Sequence, residues 1–349
     1  AVTLLFFAAV EGVLFVVGVT PLSERADPYV GFAGYSTLFI ESTAPDGTRM
    51  LRTSDAKANW FNPQQFAARK ASGTTRIFCL GGSTTYGRPY EDATSFCGWL
   101  REFVSAADPS RQWEVVNAGG ISYASYRVAR LMKELALYEP DLFIIYSGHN
   151  EFLEERSYGA LRDAPGAVKS TAALLARMRT WTAMSLLMKR MNISSSSHSA
   201  QRHRLTGEVD TLLEKFGQDI YKRDDNLRDK ILLHYRLSLK RMVDIAESVN
   251  ADIIFVTPAS NLKDFSPFKS QHTDGLSESD RLRVEKLLSD GLELMREDRW
   301  SEALEMLDEA LAIDPRFAEL HYRRGKVLFA LGQHERAKAA FVRARDEDV

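Results

Sequence analysis

The stretch Arg76–Gly87, RIFCLGGSTTYG, decides how this chain is read. Ile77–Leu80 is a short apolar run of strand type, and it empties into Gly81 and Gly82, then Ser83, Thr84 and Thr85. Such a turn either cradles a phosphate or presents a nucleophile. The phosphate reading fails on spacing. A Walker loop needs G-x-x-x-x-G-K-[ST], whereas Gly87 is followed by Arg88 and Pro89, so neither the lysine nor the hydroxyl is in place. A dinucleotide loop needs G-x-G-x-x-G, and Gly81, Gly82 and Gly87 stand at other spacings. The nucleophile reading puts Ser83 at the carboxyl end of a strand, where open α/β sheets place their sites.

Outward from this turn the pattern is regular. The strand RIFCL is followed by a helix expected over about Thr94–Ala106, the strand WEVVNA, a helix over about Ser125–Leu137 and the strand DLFIIYS. A long helix over about Asp225–Val249 then leads to a fourth strand, ADIIFVTPAS. Strands alternating with helices predict βαβ units and a parallel sheet, and runs such as LFIIY fit strands buried on both faces. The second strand ends in NAGGISYAS and the third in YSGHNEF, each a glycine-containing turn beside Ser83. The third also puts the side-chain amide of Asn150 past the strand end, so donors for an oxyanion are available next to a hydroxyl.

These three blocks resemble the SGNH, or GDSL-type, hydrolase superfamily over about Arg76 to Ala259. The resemblance implies a flavodoxin-like three-layer α/β/α domain in which Ser83, within Gly82-Ser83-Thr84, is the nucleophile. It implies a backbone N–H donor from the second block, either Gly120 or Ser122, and Asn150 of Gly148-His149-Asn150 as the amide that completes the oxyanion hole. The lead-in FNPQQFAARK, the phrase GHNEF and the attached repeats further resemble a bacterial membrane-anchored subgroup of these hydrolases. One departure is large: the family supplies its base from D-x-x-H near the chain end, and no D-x-x-H occurs among the seven histidines. His321 and His334 fall on repeat helices, His198 and His203 in a serine-rich patch, His234 in mid-helix, and His149 at the variable position of the third block. His272, in FKSQHTDG beyond the fourth strand, is the alternative base. The chain has no initiating methionine and shows four of the family's five strands, so the Asp/His pair is expected beyond Val349.

The chain as a whole sets further bounds. Its 349 residues are 45% apolar and 26% charged, enough for two globular domains, and a net charge of −2 disfavours nucleic-acid binding. Two cysteines, Cys79 and Cys97, make no disulfide framework and are expected as buried thiols. Residues 1–22 carry one charge, Glu11, and at ~1.5 Å per residue could span a ~30 Å hydrocarbon layer. They are expected as a transmembrane anchor rather than a cleaved signal peptide or a buried helix, with the following domain periplasmic or extracellular. Residues 23–75 read as an irregular lead-in with two short strands, and 76–279 as the hydrolase-like domain.

From 280 to 349 a shift of 34 residues aligns the chain with itself: Gly291 falls on Gly325, Leu294 on Leu328, Ala303 on Ala337, Leu307 on Phe341 and Ala310 on Ala344. That is the signature of tetratricopeptide repeats, here two, appended to or inserted in the α/β fold. At least three stacked units usually make an independent solenoid, so two must lean on something. The expected activity is ester hydrolysis or acyl transfer on a glycan, lipid or peptidoglycan-linked ester, with no cofactor and no metal site. The alternative is a non-catalytic scaffold whose repeats bind a partner protein.

Overall fold

The computed structural model describes residues 2–21, 37–153, 174–175, 177–190 and 221–349. The chain divides into two compact units, one of Ala1–Val209 with Asn226–Pro258 and the other of Asp210–Asp225 with Ala259–Val349. In chain order the first holds α1 (Val2–Val16), β1 (Phe39–Thr43), β2 (Arg49–Thr53), β3 (Gln65–Ala67) and β4 (Thr74–Gly81). It continues with α2 (Ser83–Tyr86), α3 (Phe96–Ala107), β5 (Gln112–Gly119), α4 (Ser125–Leu135) and β6 (Leu142–Tyr146). Then come α5 (Arg179–Arg190), α6 (Asp225–Ser248) and β7 (Asp252–Phe255).

The four-stranded sheet has the order β5-β4-β6-β7 and is parallel throughout. In β4, β5 and β6 the apolar runs are buried between two covered faces, whereas the edge strand β7 leaves Ile254 and Phe255 exposed. On one face Phe78, Leu80, Val116, Ala118, Phe143 and Ile145 pack with Val128 and Met132 of α4 and Met242 and Ala246 of α6. On the other, Ile77, Cys79, Val115 and Ile144 pack with Cys97, Leu100 and Val104 of α3. The result is a mixed α/β unit with helices on both sides of a parallel sheet. Cys79 and Cys97 are free and buried, and desolvation pushes the Cys97 thiol far above its ordinary pKa.

The lead-in is more regular than expected. Its described part forms a three-stranded antiparallel sheet, β1-β2-β3, whose Leu38, Phe39, Leu51 and Phe66 join the core on the α4 face. Short strands separated by Gly and Pro give little periodicity to read. Glu134 of α4 fixes this sheet by accepting from the Leu38 and Phe39 N–H groups at 2.9 and 3.0 Å.

The expected membrane anchor over 1–22 is overturned. Its helix is Val2–Val16, 15 residues, followed by Gly18 at φ 80°. At ~1.5 Å per residue it falls short of a ~30 Å hydrocarbon layer. No helix among the described residues is long and apolar enough to cross a membrane, so the expected membrane-anchored localisation and membrane contact lose their basis. The one charge in the run has a partner: Glu11 accepts from the Arg179 N–H at 3.0 Å and from the Thr180 N–H and hydroxyl at 2.8 and 2.7 Å, at the amino end of α5.

The second unit carries two antiparallel helix pairs, α7 (Glu278–Arg296) with α8 (Trp300–Ile313) and α9 (Ala318–Ala330) with α10 (His334–Glu347). The 34-residue register is visible in the packing. A Cβ on Gly325 would lie 2.6 Å from the Phe341 ring and one on Gly291 3.5 Å from Leu307, while Ala303, Ala337, Ala310 and Ala344 are all buried. The repeats lean on their own unit. Leu262 packs on Tyr322, Leu328 and Phe341, the Tyr322 hydroxyl donates to the Lys263 carbonyl at 2.9 Å, and Ser270 Oγ accepts from the Glu319 N–H at 2.8 Å.

The lower edge of the parallel sheet is tied by one cation. Arg76 of β4 is wholly buried, its Nε donating to Glu114 at 2.7 Å and its Nη atoms to the Tyr138 and Ala67 carbonyls at 2.6 and 2.8 Å. Arg76→Ala is expected to lower unfolding free energy by roughly 3–5 kcal/mol, the usual cost of breaking a buried ion pair. Urea denaturation measures it, and a loss under about 1 kcal/mol would show the guanidinium to be dispensable.

Candidate functional site

At its carboxyl end β4 meets both neighbours so closely that no side chain fits. A Cβ on Gly81 would lie 2.0 Å from the Tyr146 carbonyl oxygen and 2.2 Å from Thr85 Oγ1. One on Gly82 would lie 2.5 Å from Asn150 Nδ2 and 3.2 Å from the Tyr123 carbonyl oxygen. The chain then turns into α2, whose first residue is Ser83 and which stops at Gly87 with φ 109°. Thr85, fully buried, donates its hydroxyl to the Tyr146 carbonyl at 3.2 Å and so pins the short helix to the end of β6. Ser83 is half-buried, and its hydroxyl has no hydrogen-bond partner among the described residues.

The second turn is held by aromatic and cationic packing. Gly120 has no room for a Cβ, which would meet Phe61 and Tyr123 at 2.8 Å. Its N–H is already used, donating to the Gly81 carbonyl at 3.0 Å, and the Ile121 N–H donates to the Trp60 carbonyl at 2.9 Å. Ser122 sits in the left-handed region at φ 63°, with its carbonyl bound to Arg127 Nη2. The Ser122 N–H makes no hydrogen bond among the described residues. Arg127 is fully buried and lies over the Tyr123 ring at 4.4 Å.

The third turn brings Asn150, buried, against Gly82, and its Nδ2 donates to the Tyr123 carbonyl at 3.0 Å. Three sequence-derived residues thus meet at one sheet edge: Ser83, Ser122 and Asn150. Gly120 is there too, with its N–H engaged. The supports of this edge carry no motif of their own. Asn62 donates to the Tyr86 carbonyl at 2.7 Å, and Asn117 Nδ2 donates to Asp92 at 2.6 Å, which explains why NPQQ of the lead-in and the N of NAGG stand where they do. The described residues hold no group of three or more His, Cys, Asp or Glu side chains suited to a metal ion.

His272 belongs to the other unit. Its Nδ1 is 2.7 Å from Asp314 Oδ2, its ring stacks on Phe317 at 4.4 Å, and Nε2 lies 4.0 Å from Glu285. The Asp314 partner has no local signal in the sequence, because it closes a repeat 42 residues away. Asp314 is fully buried and also accepts from the Thr273 hydroxyl at 2.6 Å and N–H at 3.1 Å. Burial alone would raise its pKa, but the hydrogen bonds from Thr273, His272 and the Arg316 N–H outweigh that and hold it below the ordinary aspartate value. Of the other histidines, His149 is exposed beside the Tyr146 ring and His234 packs on Tyr126, while His198 and His203 lie outside the described residues.

Comparison with known proteins gives a family match and a structural likeness. The tetratricopeptide repeat family matches residues 294–349. No curated protein matches the chain. Among solved structures, a single-substitution variant of an acetyl xylan esterase from Geobacillus stearothermophilus is similar at 15% identity, covering 52% of this chain and 76% of that one. Its TM-score is 0.23, a likeness too weak to carry an argument.

Because the Asp314 carboxylate is depressed in the folded state, its stabilising contribution is present above the unfolded aspartate pKa of ~3.9 and is lost as pH falls through the lower folded value. Asp314→Asn is therefore expected to melt below wild type at pH 7, with the gap closing as pH falls below about 4. Thermal melts from pH 7 to pH 2.5 test this, and a gap that stays constant would mean that the carboxylate charge contributes nothing.

Proposed function

We propose that the α/β unit is a serine esterase domain of SGNH type. The observation that carries this reading is the convergence of an unbonded hydroxyl, Ser83, with an unbonded backbone N–H, Ser122, and a fixed side-chain amide, Asn150, at the carboxyl edge of β4. Ser83 Oγ attacks an ester carbonyl carbon and gives up its proton to a base. The carbonyl oxygen becomes an oxyanion held by the N–H groups of Ser83 and Ser122 and by Asn150 Nδ2. Collapse expels the alcohol and leaves an acyl-serine, which water or a second alcohol resolves, so hydrolysis and acyl transfer share this first half. Between the two donors considered for the second turn, Ser122 is favoured because the Gly120 N–H already serves the Gly81 carbonyl. His272 stays the alternative base: its Nδ1 faces Asp314 at 2.7 Å, the pairing that orients a catalytic imidazole, and it belongs to the repeat-bearing unit.

A second reading is favoured by the repeat match at 294–349: the chain recruits a partner protein through its helical repeats, whose stacked pairs form concave peptide-binding surfaces in other proteins. The two readings are compatible in one chain, and activity separates them. Full-length protein is expected to release p-nitrophenol from p-nitrophenyl acetate. Ser83→Ala is expected to abolish the acyl-enzyme, and Asn150→Ala to slow acylation by ~10²–10³, as when one oxyanion donor is lost. Absence of release by the unmodified protein, or release that survives Ser83→Ala, would leave only the scaffold reading standing.

A further inference from the structure

We propose that Glu151 is a positioning residue that fixes the rotation of the Asn150 amide by capping α4 from outside the helix; this rests on the reading of Ser83 and Asn150 given above. The helix Ser125–Leu135 begins without a cap of its own. Its N-cap residue is Ala124, which has no side-chain acceptor for the first N–H groups. The acceptor arrives from the third turn. Glu151 Oε1 accepts from the Ser125 N–H at 2.9 Å and Oε2 from the Ser125 hydroxyl at 2.7 Å, and Ser125 is fully buried. A carboxylate at a helix amino end is also favoured by the helix dipole.

The consequence lies one residue earlier. Asn150 holds the Tyr123 carbonyl at 3.0 Å while Glu151 holds Ser125, so two successive residues of one turn grip two nearby points of the other. One bond alone would leave the amide free to swing about it, and two fix its orientation. The far end of the same turn is fastened as well. The Tyr235 hydroxyl, from α6, donates to the Ser147 carbonyl at 3.0 Å, and Gly148 at φ 133° lies against Tyr235 and Pro258. Burial and the Glu151 charge raise the Tyr235 pKa. The Ser122 turn has further supports in Arg127, Phe61 and the Trp60 carbonyl, so its backbone donor does not depend on Glu151 alone.

The test is a double-mutant cycle on full-length protein, read as the single-turnover rate of p-nitrophenol release. Glu151→Ala is expected to slow acylation by ~10-fold or more, short of the ~10²–10³ of Asn150→Ala, with little change in KM. Because Glu151 works through Asn150, the double variant is expected to be no slower than Asn150→Ala within about twofold. Glu151→Gln keeps an acceptor for the Ser125 N–H and can donate to its hydroxyl, so it should recover most of the rate. If Glu151→Ala slows the Asn150→Ala protein as much as it slows wild type, the positioning role is overturned while the oxyanion role stands. If Asn150→Ala is itself without effect, the underlying site reading fails instead. Should Glu151→Ala not fold, Ser125→Ala, which removes only the Oγ bond, takes its place in the cycle with the same non-additivity expected.

Discussion

The candidate site depends on the absence of two Cβ atoms. Gly81 and Gly82 let the end of β4 touch the Tyr146 carbonyl on one side and the Asn150 amide on the other, at separations where any side chain would collide with backbone or with the amide. Everything chemical at this edge is set by that approach. It brings the three loops that follow β4, β5 and β6 into one place, and it leaves Ser83 at the first turn of α2 with an unbonded hydroxyl. Glycine is required at Gly81 for contact rather than for an unusual dihedral angle, since no positive φ is found there.

The approach rests on the packing of the sheet beneath it. Arg76 anchors the opposite end of β4 to β3, β5 and the chain entering β6, and the two faces of the sheet are filled by separate apolar clusters. The register Gly81↔Gly119 and Gly81↔Tyr146 then follows from pairings that begin at Thr74 and Ile77. A slip of one residue on β4 would carry its core residues to the wrong face. Core packing and site geometry are therefore one constraint seen at two ends of the same strand.

The repeat-bearing unit solves a different problem. The segment carrying Leu262, Lys263 and Ser270 packs on the second helix pair and buries part of its surface. His272 and Asp314 belong to this arrangement: a buried carboxylate between two repeats is satisfied by an imidazole and by Thr273, both from the same segment. A histidine with a buried aspartate partner resembles catalytic machinery in isolation. Its setting, with the ring stacked on Phe317, equally satisfies a structural need.

By itself the sequence determined the parallel sheet, the order of its strands with helices, the turn at Ser83 and the 34-residue repeat, because these are written in local periodicity and in glycine placement. The helices over Phe96–Ala107, Ser125–Leu135 and Asp225–Ser248 lie within a few residues of where apolar spacing puts them. Tertiary structure alone decided which hydrogen-bonding groups remain free. Gly120 and Ser122 are equivalent as backbone donors in a sequence, and only the fold commits one N–H to the Gly81 carbonyl. Glu151 reads as an ordinary carboxylate until α4 starts with Ala124 and needs an acceptor. The apolar run at the start of the chain shows the limit most clearly: hydropathy counts residues, but the helix there ends at Val16, and Glu11 is bound to Arg179 and Thr180, distant in sequence. Periodicity is a local property of the chain, whereas the saturation of a donor or a charge depends on whatever else the fold brings within about 3 Å of it.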